Sequence, residues 1–237
     1  MSVLVLVLAG PLQAWGLAAR WAHRPTEPQP TKSGVIGLLG AACGLDRADT
    51  AGLARLAALT YAVRTDQPGH RLRDFHTTHS RTGKAMPLSN RFYLADAVFT
   101  AALAGPTPVM NRLHQALRSP VHPLFLGRRS CPPARPVAHS LHHDTDDPVT
   151  VLEHLVSWQA AGWFQQSHPG HRMTIHHDTH PTDPAARLAN DHPLDFTPGR
   201  RRHAPRATAT RALAAPQPAD RDRDGGPDFF DALDDLT

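Results

Sequence analysis

Basic side chains recur beside indole and imidazole rings in this sequence. The chemistry they share is contact with a polyanion whose bases can be stacked. After the apolar run Val3–Ala9, Gly10-Pro11 makes a turn that presents Gln13 and Trp15. A strand end that displays an amide and an indole can form a binding edge; alternatively Trp15 closes the core and Gln13 bonds to the turn backbone. The loop Leu17–Pro30 holds Arg20, Trp21, His23 and Arg24 among three prolines, a mixture suited to phosphate contact and base stacking. Lys32 and Ser33 stand where a helix begins, and free N–H groups at a helix start attract anions. Between Gly69 and Asn90 lie Arg71, Arg73, His76, His79, Arg81 and Lys84. Gly127-Arg128-Arg129 offers two guanidinium groups behind a residue that allows close backbone approach, a pattern equally suited to structural or solvated arginines.

Catalytic chemistry is the alternative. Metal-free RNA cleavage needs a base, an acid and a cation for the phosphorane charge, and His76, Tyr93 and Lys84 could be cast in those roles. His and Lys near RNA more often only bind it. The repeated His-His-Asp-Thr at His142–Thr145 and His176–Thr179 suggests metal binding at first sight. Neighbouring histidines on a strand face opposite sides, so neither a metal site nor a cofactor is expected.

The elements that must position these residues follow from pattern. Val3–Ala9 has the length and Val/Leu content of a strand buried on both faces. Ser33–Cys43 is predicted helical and apolar nearly all round. Gly34, Gly37, Gly40 and Gly44 share one face, which would let it lie close on a sheet. A second helix is expected over Asp49–Leu59, a strand over Tyr61–Thr65, an edge strand over Leu72–Thr77 and a central strand over Asp96–Leu103. Helix Val109–Arg118, strand Val137–Leu141, helix Pro148–Leu155 and strand Arg172–His177 complete the pattern. Trp158, Trp163 and Phe164 are expected to pack a smaller C-terminal layer.

Strand, helix, strand, arm, strand, helix, strand approximates a split β-α-β order. The expected class is therefore α+β, with a ferredoxin-like, RRM-like palm over residues 1–140 and a mixed sheet. An inserted thumb arm spans about 70–93, and a small C-terminal α+β part spans 141–203. From 204 to 237 the chain reads as a disordered acidic tail. The aromatic signature of RNA-recognition domains is not visible.

The totals set bounds. A chain of 237 residues can bury a sizeable core. Two cysteines, far apart, suit a reducing cytoplasm. The apolar start lacks a basic flank, so neither a signal peptide nor a membrane anchor is expected. Net charge is +4, but Ala219–Thr237 holds seven Asp against two Arg. That stretch carries −5 and the rest +9, so a polyanion partner fits.

Five segments occur in a telling order: LAGPLQAWG at Leu8–Gly16, PTKSGVIGLLGAACGL at Pro30–Leu45, LRDFHT at Leu72–Thr77, RFYLADAVFTAAL at Arg91–Leu103 and PLFLGRRSCP at Pro123–Pro132. Together they resemble the Cas-five family of repeat-associated (RAMP) proteins in the subtype I-E CRISPR antiviral surveillance complex, Cascade. The match runs from Val3 to about Pro136, thins between Asp147 and Arg202, and is absent beyond. The resemblance implies a ferredoxin-like palm, a thumb at Thr77–Asn90 that crosses the RNA, and a β-rich C-terminal part. It implies binding to the 5′ handle of the CRISPR RNA (crRNA) and contact with the backbone subunit CasC and the large subunit CasA. Target DNA would be met through the assembled complex. A separate subunit cuts RNA in that branch, so a non-catalytic role is implied. The expected RNA surface collects Gln13, Trp15, Arg20, Lys32, Ser33, Arg73, His76, Arg81, Lys84, Arg128 and Arg129.

Overall fold

The computed structural model of the chain describes residues 1–16 and 23–214. Its elements in order are β1 (Ser2–Ala9), β2 (Leu12–Gln13), β3 (His23–Arg24), α1 (Lys32–Ala42), α2 (Thr50–Ala57), β4 (Thr60–Gln67), β5 (His70–His76), β6 (Ser89–Ala95), β7 (Val98–Gly105) and α3 (Thr107–Arg118). Then come β8 (Ala138–His143), α4 (Pro148–Thr150) running into a π-helical turn Val151–Leu155, α5 (Gly162–Ser167), β9 (Arg172–Asp178), β10 (Arg187–Asp195) and β11 (Arg202–Ala214). No described helix is long and apolar enough to cross a membrane.

Seven strands form one sheet in the order β10-β11-β9-β4-β7-β1-β8. All its pairs are antiparallel, not mixed. The units β1-α1-β4 and β7-α3-β8 interleave. Each crossover spans a strand instead of joining neighbours, so the helices do not produce parallel pairs. The unbroken apolar run of β1 is explained by its place: all eight residues are buried, with helices on one face and a helical segment on the other. Leu4, Leu6, Leu8, Phe99, Ala101 and Leu103 meet the helices through Val35, Ile36, Leu39, Met110 and Leu113. Val3, Val5, Ala62, Ala102 and Ala104 meet Val151, Leu152 and Val156 on the other face.

The cover on that second face is held by a buried ion pair. Arg64 donates to the carbonyls of Leu152, Val156 (2.8 Å) and Ser157 (2.7 Å), and pairs with Asp66 at 2.8 Å. Asp66 also accepts from Thr100 Oγ1 at 2.6 Å and the Gln159 amide at 3.0 Å. With every partner satisfied, this buried charge is tolerated and fixes one geometry. It also closes the sheet face on which RNA-recognition domains stack bases.

Two expectations about the C-terminal region are corrected. Residues 204–214 belong to β11, a 13-residue strand paired with both β9 and β10, and β9 continues the palm sheet beside β4. The composition misled because β11 carries alternating Ala and Thr, and strand pairing supplies the stability that apolar mass would otherwise provide. The acidic stretch beyond 214 lies outside the described residues. Trp158 and Phe164 pack with Ala160 and Met173 as expected, whereas Trp163 is largely exposed. The glycine face of α1 also turns elsewhere: Gly34 abuts the Trp15 ring and Gly37 lies beside Phe196, while Val35, Ile36 and Leu39 take the sheet.

Candidate RNA interface

The arm predicted over 70–93 is the heart of a second, four-stranded sheet. β6 is central: β5 pairs along one edge, and β2 and β3 share the other. Arg71, Arg73 and Phe75 alternate with Leu72 and Asp74 along β5, so the three share a face. Register sets them opposite Leu94, Phe92 and Asn90 on β6. His23 joins the same face from β3, its ring 5.1 Å from that of Phe92.

This face combines charge with flat surfaces. The Arg71 guanidinium lies 4.3 Å from the Phe92 ring centre, and that of Arg73 lies 4.3 Å from Phe75. Arg73 Nε also donates to Asn90 Oδ1 at 3.1 Å. Both arginines are exposed, Phe75 is 62% exposed, and neither arginine has a carboxylate partner among the described residues. Guanidinium planes resting on rings are pre-oriented to stack a base and fork a phosphate together. Beyond β5 the chain turns at Ser80–Lys84 and bridges His79 to Ala85, leaving Arg81 and Lys84 exposed at the tip.

The structure distributes the expected RNA contacts unevenly. Arg73, Arg81 and Lys84 are exposed on the arm. His76 is half-buried there, on the opposite face from Arg73, its Nδ1 3.5 Å from Asp74. Arg129 is exposed on its loop. Gln13 and Trp15 are corrections, since both are fully buried. Gln13 Nε2 donates to Leu8 O (2.9 Å) and Ala97 O (2.7 Å), and Gln13 Oε1 accepts from Trp15 Nε1 at 3.0 Å. The amide thus satisfies strand ends where the two sheets part.

Lys32 and Ser33 are also buried. The anion at the start of α1 is the protein's own: Asp191 accepts from the Lys32 amide at 2.7 Å, and Asp178 pairs with Lys32 Nζ at 2.9 Å. Arg206 bridges both carboxylates. Arg128 is half-buried and committed to backbone. It donates to the carbonyls of Phe92 (3.0 Å) and Arg24 (2.8 Å) and lies 4.7 Å from the Tyr93 ring centre. Gly127 makes this possible: at φ +90° its ideal Cβ would sit 1.7 Å from Ala14 O, so only glycine fits. Arg20 lies outside the described residues.

The three groups cast for cleavage are not brought together. Tyr93 is buried beneath Arg128 and pairs opposite Leu72, four positions along β5 from His76, while Lys84 is at the tip. Four members of the basic face were left out of the expected RNA surface. Arg71 and Phe75 carry a period-2 signal with Arg73 that could have found them. Phe92 and His23 could not have been placed without the strand register.

Known proteins resemble this chain over most of its length. The sequence profile described as "CRISPR-associated protein (Cas_Cas5)" matches residues 3–208. The chain is 36% identical over 194 residues to the CRISPR system Cascade subunit CasD of Escherichia coli (strain K12), covering 73% of this chain and 85% of that protein. A chain of a CRISPR RNA-guided surveillance complex superposes with a TM-score of 0.72 at 31% identity, over 90% of this chain and 91% of that one. A Cas protein crystal structure superposes with a TM-score of 0.63 at 31% identity, over 91% and 95% of the two chains. Matched in sequence across both sheets and in structure over nine-tenths of its length, the chain belongs to the CRISPR-associated Cas5 family.

Proposed function

We propose that this protein is the non-catalytic, RNA-holding subunit of a type I-E Cascade in the cytoplasm. It caps the 5′ handle of the crRNA and adjoins CasC and CasA. Its palm is ferredoxin-like in this reading, which the strand order β8-β1-β7-β4 with α1 and α3 on one face supports. The sheet face used by RNA-recognition domains is covered, so the RNA takes the arm. The observation that carries the reading is the exposed face of Arg71, Arg73, Phe75, Phe92 and His23, where charge and stacking surface coincide. Single-stranded handle RNA needs that pairing of features. Burial of Tyr93 and its separation from His76 speak for binding without cleavage.

Filter binding with handle RNA tests this. Replacing Arg71 and Arg73 with Ala should weaken binding about tenfold and lower the log–log salt slope by about 1.4, since each lost phosphate contact on a single strand removes about 0.7. Unchanged affinity and slope would move the RNA off this face.

A further inference from the structure

A second concentration of arginine lies away from the arm. β5 and β6 leave the large sheet at the end formed by Gln67 and Val98. β11 ends at that same end, with Ala214 beside Arg172. It begins at the opposite end, since Thr208 already pairs with Asp178 and the strand starts six residues earlier. Arg200 and Arg201 in the β10–β11 turn and Arg202, the first residue of β11, are all exposed there. Arg47 is exposed in the α1–α2 loop, and both of those helices pack on β10. Partial desolvation, and then the Arg47 charge, push the Arg201 guanidinium below its ordinary value.

None of the four arginines has a carboxylate within salt-bridge distance among the described residues. Asp195, the carboxylate that feels Arg200 and Arg202, accepts from the Thr197 amide at 2.8 Å. The patch is also built on ordered backbone. Gly199 turns the chain at φ +80°, and the Arg201 guanidinium rests 5.1 Å from the Phe196 ring centre. Phe196 is half-buried where Phe75 is 62% exposed: Arg201 covers one face, a Cβ on Gly37 would lie 3.6 Å from the ring, and His203 meets its edge. Charge without a stacking surface suits paired bases, whose backbone is displayed and whose faces are hidden.

We propose that Arg47, Arg200, Arg201 and Arg202 form a second nucleic-acid site, which takes the phosphate backbone of a duplex without reading its sequence. Four contacts on B-form DNA release enough counterions to contribute about 3.6 to the salt slope.

The test uses the full chain, a short labelled DNA duplex of arbitrary sequence and, separately, single-stranded RNA. The quadruple Ala variant should bind duplex at least about tenfold more weakly, with the slope lowered by about 3.6. Binding of single-stranded RNA should change by less than about twofold. The triple variant R47A/R200A/R202A keeps Arg201 on Phe196 and guards against misfolding; its duplex slope should fall by between about two and three. R71A/R73A should show the reverse pattern, which separates failure of this site from failure of the arm face. Three outcomes would overturn the proposal: no duplex binding by the unaltered chain at low salt, unchanged duplex binding by both variants, or an equal loss for single-stranded RNA.

Discussion

Gln13 and Arg128 show how a side chain suited to a ligand can be used up by its own backbone. Gln13 satisfies two carbonyls and an indole N–H at the parting of the two sheets. Gln13→Ala should cost about 2–3 kcal/mol in a urea titration, because those groups stay buried and unpaired. RNA affinity of the folded fraction should be unchanged; loss of affinity without loss of stability would return Gln13 to the interface. Phe75 is the opposite case. Phe75→Ala should weaken RNA binding by about 1–3 kcal/mol with no change of salt slope, because stacking releases no counterion. An altered slope with preserved affinity would contradict a stacking role. Arg73 and Phe75 show why part of the site was legible: residue type and period-2 spacing declare an exposed basic strand. Gln13, Trp15 and Lys32 show why the rest was not, since neither type nor spacing tells a buried, internally paired group from a free one.

Most elements were legible from local pattern. The unbroken Val/Leu run gives β1, and the apolar, glycine-bearing run from Ser33 gives α1. β10 and β11 were missed because they are polar, proline-bearing and Ala/Thr-rich, and long-range pairing rather than local propensity makes them strands. Their packing on α1 depends on Arg206 between Asp178 and Asp191. Arg206→Ala should cost about 3 kcal/mol by leaving these carboxylates and the start of α1 uncompensated. A loss below about 0.5 kcal/mol in denaturant titration would show that the network is incidental, like most surface pairs.

Across the whole molecule, charge and histidine chemistry set the response to conditions. Burial pushes His139, His171, His176, His192 and His203 below the ordinary 6.5. The unfolded chain therefore binds protons first as pH falls, and stability must drop from about 6.5 downward. Thr179 and Thr197 hold Asp183 and Asp195 below 3.8, so those carboxylates act only at far lower pH. Tm should fall between about pH 7.5 and 5.5, and a flat or rising Tm would contradict the burial of these rings. The molecule is an antiparallel sheet with its cover locked by Arg64, carrying a small open sheet that, among the described residues, places exposed rings and unpaired guanidinium groups on one face. Photo-crosslinking of the assembled complex to its crRNA, with peptide mapping, tests that account most directly. The account predicts crosslinks on β5 and β6, at Phe75 and Phe92 above all. Crosslinks confined to the α1 start or the covered palm face, with none on the arm, would contradict it.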